Sequence, residues 1–214
     1  GSGNGEARVG TVSGTSISFG SLATFDTGLV SFMKSTYDAN AQKVVVAFRE
    51  PSTTYGVAVV GTVSGTSISF GSAATYQASR VDQTAITYDS SNQKIIIAYQ
   101  SFSGTDGKSV VGTVSGTSIS FASPLTFSTA STTYTSVLYD PDTNKLIISF
   151  PDGNNSNKGT SIIYTSTAAD NPLTSENFIG FADGAYADTA SAAINTTCSV
   201  DRNQTSLTAG QKYY

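Results

Sequence analysis

The sequence predicts an all-β fold built from repeated four-stranded antiparallel units. The main observation is a ten-residue segment, Gly-Thr-Val-Ser-Gly-Thr-Ser-Ile-Ser-Phe, which recurs at a constant offset of 51 residues. A second is that short segments of alternating apolar and polar residues follow each copy at the same offset. The third is that Gly, Ser, Asn and Asp stand between these segments, where tight turns are expected. The three copies of the segment are Gly10–Phe19, Gly61–Phe70 and Gly112–Phe121.

The middle copy shows the first two strands most clearly. Gly56–Val63 carries Val57, Val59 and Val63 on one face, and Thr66–Tyr76 alternates hydroxyl and apolar side chains, as half-buried strands do. Ser64 and Gly65 connect them, and glycine supplies the positive φ of a two-residue hairpin turn. The pair is therefore predicted to be a β-hairpin.

A second hairpin follows in the same copy. Thr84–Tyr88 and Lys94–Tyr99 are joined by the polar residues 89–93, in which Asp89 can accept hydrogen bonds from amides two residues further on. Ile95, Ile96 and Ile97 do not alternate with polar residues, which indicates a strand covered on both faces. This strand is expected at the centre of a layered structure.

Four antiparallel strands in about 50 residues are typical of a β-propeller blade, so the sequence predicts a β-propeller-like array of four-stranded antiparallel blades. Residues 1–166 form the array, with three full copies near residues 8–56, 57–107 and 108–158 and one further strand, Gly159–Thr165. Residues 167–214 are predicted to be a degenerate repeat that runs into a small β-rich C-terminal module. Because the first copy begins in mid-cycle, we expect a piece of a longer polypeptide, or blades completed between chains.

Composition argues against most enzymes. Charged residues make up 12% of the chain, against a typical quarter, and Ser, Thr, Asn and Gly must therefore cover the surface. Histidine is absent, which removes the usual general base and a common metal ligand, and Cys198 is the single cysteine. We therefore expect no catalytic residues, no metal and no cofactor.

Charge and hydropathy also exclude two classes of partner. The net charge is −4 and the eleven Lys and Arg residues are scattered, so nucleic acid is not an expected partner. No apolar run is long enough to cross a bilayer, so membrane insertion is not expected either.

Comparison of the copies separates uniform turns from variable connections. Two sets of longer connections differ between copies, and in an up-and-down meander both sets lie at one end of the sheets. Variation on one face of a rigid repeat scaffold is typical of a binding surface, although solvated loops that are free to vary would look the same. One set is 26–35, 77–84 and 128–136, and the other is 49–55, 100–107 and 151–158.

The candidate ligand-binding residues come from these connections. Aromatic rings there can stack on sugars, while Asn, Asp and Arg can bond to hydroxyls. The candidates are Arg49, Tyr55, Arg80, Phe102, Asp106, Tyr134, Asp152, Asn154 and Asn155.

Three recurring aspartates, Asp38, Asp89 and Asp140, could suggest a catalytic or calcium site, because residues 140–144 space oxygen ligands alternately. Their occurrence at the same place in every copy favours a turn-capping role, since one active site does not need three equivalent turns. Lysines at the ends of the same turns are expected to form weak surface pairs with them. The lysines are Lys43, Lys94 and Lys145.

The repeat units Val-Val-Gly-Thr-Val-Ser-Gly-Thr-Ser-Ile-Ser-Phe and Tyr-Asp-Ser-Ser-Asn-Gln-Lys-Ile-Ile-Ile-Ala-Tyr resemble propeller-type repeats in tail-fibre and related virion structural proteins of tailed phages, particularly marine ones. The C-terminal segment, from Glu-Asn-Phe-Ile-Gly-Phe to Leu-Thr-Ala-Gly-Gln-Lys-Tyr-Tyr, resembles the module that follows those repeats. The resemblance implies a location in the virion or outside the cell, and it carries no catalytic residues to transfer.

The leading hypothesis is a non-enzymatic tail-fibre-like protein that attaches to a glycan or protein of the host cell surface. The alternative is a secreted or cell-surface bacterial adhesin or assembly subunit that acts through protein contacts. A depolymerase of surface glycans is the third reading, and it requires a close pair of carboxylates. Other copies of the chain or neighbouring virion proteins are expected partners, because unpaired edge strands favour homo-oligomers.

Overall fold

Strands form where the sequence alternates or runs apolar, and the chain has no α-helix in the part that the structure describes. The computed structural model describes residues 3–102, 106–166, 181–182 and 194–195. The chain divides into two units, Gly1–Asp170 and Asn171–Tyr214. The described strands of the first unit are β1 (Gly5–Ala7), β2 (Gly10–Ser13), β3 (Ser16–Phe19), β4 (Ala23–Asp26), β5 (Ser31–Asp38), β6 (Lys43–Arg49), β7 (Tyr55–Ser64), β8 (Ser67–Phe70), β9 (Ala74–Asp89), β10 (Lys94–Ser101), β11 (Gly107–Ser115), β12 (Ser118–Phe121), β13 (Leu125–Ser128), β14 (Ser136–Asp140), β15 (Lys145–Asp152) and β16 (Lys158–Tyr164).

In the second unit, β17 (Phe181–Ala182) pairs antiparallel with β18 (Ile194–Asn195). The rest of the predicted C-terminal module, Cys198 included, lies outside the described residues.

The sheets are antiparallel meanders, which confirms the all-β prediction. β5, β6 and β7 are neighbours, and the outer edge of β7 pairs with β8 and then with the start of β9. The end of β9, β10 and β11 repeat this order, with β12 and β13 on the outer edge of β11. β14, β15 and β16 form a three-stranded sheet, while β1 pairs with β4 and β2 with β3. The described strands form no closed barrel or propeller.

The sheets do not coincide with the copies read from the sequence. β6 ends the first copy and β7 begins the second, yet Phe48 pairs with Val57 in one continuous ladder. The meander therefore takes β5 and β6 from one copy and continues with β7 and β8 of the next. The short connection after β6 keeps β7 in the same sheet, whereas β9 carries the chain from one meander to the next.

β9 corrects the prediction that residues 77–84 form a loop. Tyr55 of β7 pairs with Arg80, while Gln100 of β10 pairs with Asp82. The segment is a strand because its two parts find hydrogen-bonding partners on two different strands.

The uniform turns lie together at one end of the sheets, which we call the turn end. Asp89 pairs with Lys94 across the predicted second hairpin, and Ser64 pairs with Ser67 across the first. Gly65 has a φ of 58°, as the first hairpin requires. The central residues of this turn are Gly65 and Thr66, one residue later than predicted.

The core lies between stacked sheets, so the central strand of each meander is covered on both faces. Ile95 and Ile97 of β10 pack with Val45 and Ala47 of β6. On the opposite face of β10, Ile96 packs with residues of β15 such as Leu146 and Ile148. The prediction of a fully covered strand at residues 95–97 is confirmed, since all three isoleucines are completely buried.

Candidate functional site

The variable connections meet at the other end of the sheets, which we call the loop end. Arg49 pairs with Gly56 where β6 leads into β7, and Asp152 pairs with Lys158 where β15 leads into β16. The middle of β9 joins the same end, because the Val81 amide donates to the Thr54 carbonyl at 3.2 Å. Both sets of connections therefore share one end, as the sequence predicts. The loop end comprises connections 27–30, 50–54, 129–135 and 153–157, residues 102 and 106, and the middle of β9.

Strained backbone recurs at the loop end at the same position of each repeat. Phe32, Gln83 and Tyr134, each 51 residues apart, have φ values of 52°, 54° and 53°. Side chains other than glycine, asparagine and aspartate rarely adopt this conformation, and a bulky one does so only under constraint. The first two positions fall in β-bulges of the β5–β6 and β9–β10 ladders, and such bulges re-aim side chains near functional sites. Of the three, only Tyr134 is among the candidates predicted from the sequence, and the offset of 51 residues is the signal that points to the other two.

Asp82 stands between two arginines, Arg49 of β6 and Arg80 of its own strand β9. Arg49 Nη1 donates to Asp82 Oδ1, and Arg80 Nη2 donates to Asp82 Oδ2 at 3.0 Å. The Asp82 side chain is 9% exposed, against 21% for Arg49 and 46% for Arg80. We call Arg49, Arg80 and Asp82 the arginine junction.

Aromatic rings support both guanidinium groups. The Arg49 guanidinium carbon lies 4.7 Å from the centre of the Phe32 ring, and that of Arg80 lies 4.1 Å from the centre of the Phe102 ring. Cation–π contacts of this length fix the orientation of a planar guanidinium. Phe102 is 50% exposed, so part of its ring remains open to solvent.

Loop 50–54 is held by the carboxylate of Glu50. Glu50 accepts hydrogen bonds from the hydroxyls and amides of Ser52 and Thr53, at 2.5–3.0 Å. These bonds, that from the Thr53 hydroxyl above all, lower the pKa of Glu50 to about 2. The loop leads into Tyr55, which is 36% exposed and lies beside Arg80 in the ladder. Tyr55 therefore borders the arginine junction.

A second contact point lies 51 residues further along and is uncharged. Gln100 and Ser131 stand at the positions of Arg49 and Arg80, and Gln100 Nε2 donates to Ser131 Oγ at 3.1 Å. Thr133 stands at the position of Asp82. We call Gln100, Ser131 and Thr133 the neutral junction.

The remaining candidates lie near the neutral junction or serve the local backbone. Asp152 caps a 3₁₀ turn (Gly153–Asn155) by accepting from the Asn154 amide at 2.9 Å. Asn155 belongs to the same exposed turn. Tyr134 is 79% exposed. The carbonyl of Asp106 accepts from the Ser101 amide at 2.8 Å. The candidate residues therefore divide between the arginine junction and the neighbourhood of the neutral junction. Arg49 and Arg80 belong to the arginine junction, and Tyr55 and Phe102 border it.

The recurring aspartates cap turns, as predicted. Asp89 Oδ1 accepts from the amides of Ser91 and Asn92, and Asp38 and Asp140 accept from amides of their own turns in the same way. Asp38 and Asp89 are buried, and Lys94 donates to the Thr113 hydroxyl at 3.0 Å. The predicted lysine pairs are therefore wrong for the residues described, because the carboxylates turn inward to the backbone.

Within the described residues, no three His, Cys, Asp or Glu side chains are grouped so that they could hold a metal ion. The described part also contains no helix long and apolar enough to span a membrane.

The fold and the loop end together define a repeat-built, all-β protein with a variable face. No family model matches the chain, and no curated protein matches it either.

Proposed function

We propose that the chain is a non-enzymatic display protein whose loop end binds a glycan or protein of a cell surface. The observation that carries the proposal is the difference between the two ends of the same sheets. The turn end repeats with little change, while the loop end combines side chains that differ between the copies with exposed rings such as those of Phe102 and Tyr134. Recognition is usually carried by such variable loops on a rigid scaffold.

The stacked meanders fit the blades of a β-propeller. Buried central strands such as β10 are what face-to-face blades require, and the 51-residue repeat has the length of one blade. Further units, in the same polypeptide or in other copies, would close the ring. We therefore propose a homo-oligomer or a longer array. A monomer mass of the purified chain in light scattering would contradict the homo-oligomer.

The resemblance to tail-fibre repeats supports a place in the virion, with attachment to the host surface as the role. A bacterial surface adhesin remains the alternative. The two are distinguished by the neighbouring genes, since capsid and tail genes favour the first and a secretion signal upstream in the parent gene favours the second.

Binding is favoured over hydrolysis by the state of the acidic groups at the loop end. Both oxygens of Asp82 accept from arginines, and those of Glu50 accept from Ser52 and Thr53. A general acid for glycoside cleavage needs a raised pKa, whereas the pKa of Glu50 is lowered. Glu50 is therefore not suited to act as this acid, and both oxygens of Asp82 are already occupied by arginine donors.

The test is binding of the purified chain to a broad microbial glycan array, beside a variant in which Tyr55, Phe102 and Tyr134 are all replaced by Ala. We expect selective binding that the variant loses, because each ring offers an exposed face for stacking. Tyr37→Ala is the matched control, since Tyr37 is an exposed tyrosine near the turn end. Silence of the folded wild-type chain on glycans and on host-surface proteins would overturn the proposal.

A further inference from the structure

We propose that the arginine junction is an anion-binding site for acidic saccharides, with carboxylate or sulfate as the recognised group. This inference rests on the proposed function and narrows its ligand class. Arg49, Arg80 and Asp82 would hold the anion, and the half-exposed ring of Phe102 would contact the sugar.

The charges at the junction are unbalanced. Two guanidinium groups share the single carboxylate of Asp82, which leaves one excess positive charge within the junction itself, although Glu50 and Asp106 also lie at the loop end of this chain of net charge −4. Arg49 donates through one nitrogen and Arg80 through two, of five N–H donors that each guanidinium carries. The Arg80 side chain, 46% exposed, therefore has donors left for an anion from solvent, and guanidinium matches carboxylate and sulfate oxygens in pairs.

The charges are not needed to join the meanders. At the equivalent position 51 residues on, Gln100 of β10 donates to the hydroxyl of Ser131 in the connection between β13 and β14, and the Ser131 carbonyl accepts from the amide of Gly153, which follows β15. The same chain thus contains a working contact without any ion pair. The Arg49–Asp82 pair is mostly buried, and the attraction in a buried ion pair is largely offset by the cost of removing both charges from water. The half-exposed Arg80–Asp82 pair adds little stability. Charge at the arginine junction therefore needs another explanation.

The arginines are also held in place before a ligand arrives. Arg49 stacks on Phe32, whose backbone is strained, and Arg80 stacks on Phe102. Asp82 fixes the distance between the two guanidinium groups. Because the side chains are already ordered, binding loses less conformational entropy than it would with free arginines.

The neutral junction supplies the test variant. Arg49→Gln, Arg80→Ser and Asp82→Thr together convert the first junction into a copy of the second. Lys145→Gln is the control, because it lowers the net charge by the same amount at the turn end. The probes are polygalacturonate for carboxylate, dextran sulfate for sulfate and unmodified dextran for the neutral polymer, measured by affinity electrophoresis and calorimetry.

We expect the wild-type chain and Lys145→Gln to bind one of the two polyanions and not dextran. The triple variant is expected to bind about tenfold or more weakly, because charge-assisted hydrogen bonds are lost. Binding should also weaken steeply with added salt. The polyanion that binds identifies the recognised group. Circular dichroism verifies that each variant folds. If the triple variant does not fold, Arg80→Ser alone gives the same comparison, because the Arg80 side chain is 46% exposed.

Three results would each overturn the inference. The triple variant could bind as tightly as the wild-type chain, Lys145→Gln could lose as much affinity as the triple variant, or neither polyanion could bind. If neutral glycans on the array still bind and require Tyr55, Phe102 and Tyr134, the proposed function stands while the anion site fails. If no glycan or surface protein binds at all, both fail.

Discussion

The carbonyl oxygen of Thr117 lies directly against the α-carbon of Gly71. A Cβ added to Gly71 would stand 1.9 Å from this oxygen, and one added to Gly20 would stand 1.7 Å from the carbonyl oxygen of Thr66. These pairs are equivalent, being 51 residues apart, so the C-terminal side of one turn-end hairpin packs on the next hairpin. The third copy has Ala122 at this position.

Gly71→Ala is expected to destabilise the first unit by about 1–3 kcal/mol, because the backbone of the neighbouring hairpin must move to admit the methyl group. Urea unfolding followed by circular dichroism measures the change. Gly159→Ala is the control, since a Cβ at Gly159 meets nothing within 4 Å. An unchanged urea midpoint for Gly71→Ala would contradict the packing described.

Much of the fold could be predicted because the constant offset of 51 residues shows which segments are equivalent. Gly65 and the bonds from Asp89 to the amides of its own turn act within a few residues of the chain, and such turn chemistry is readable in sequence. Burial of Ile96 could also be predicted, because an unbroken apolar run needs cover on both faces.

Other features depend on which strands pair with each other, and the pairing of distant strands cannot be predicted from this sequence. Residues 77–84 carry loop-like polar side chains, yet they form strand because β7 and β10 each offer an edge. Arg49 and Asp82 are 33 residues apart and come together only through the contact between two meanders. The strain at Phe32 has no compositional signal beyond its equivalence to Tyr134.

The buried turn aspartate is expected to make stability depend on acidic pH. Burial alone would raise the pKa of Asp89, but hydrogen bonds from Ser166, Asn92 and Ser91 outweigh it and lower the pKa. A lowered pKa in the folded state stabilises the protein fully above the unfolded value of about 3.9, and this stabilisation is lost as the pH falls below it. The free energy of unfolding is therefore expected to decrease below about pH 4.

Asp89→Asn should lower the free energy of unfolding by about 1–3 kcal/mol at pH 7, because the amide is a weaker acceptor of the hydrogen bonds that the buried carboxylate receives. It should also flatten the decrease in acid, as urea midpoints between pH 7 and pH 3 would show. Asp140→Asn, in the equivalent but exposed turn, is expected to cost less. A larger loss in Asp140→Asn would mean that burial does not govern these turns.

The strain at Tyr134 gives a test that separates stability from function. Tyr134 has a φ of 53° and an exposed ring, whereas Tyr37 is also exposed but lies in the ordinary strand β5. A side chain in the left-handed region is disfavoured by roughly 1–2 kcal/mol relative to glycine, while glycine in a regular strand loses about 0.5–1 kcal/mol relative to alanine. Tyr134→Gly should therefore be more stable than Tyr134→Ala, and Tyr37→Gly less stable than Tyr37→Ala, in urea unfolding. The same order at both sites would show that Tyr134 carries no strain. If Tyr134→Gly is indeed more stable than Tyr134→Ala, its glycan binding decides the role of the ring. Loss of binding in Tyr134→Gly would indicate that the chain keeps a strained tyrosine for recognition and not for folding.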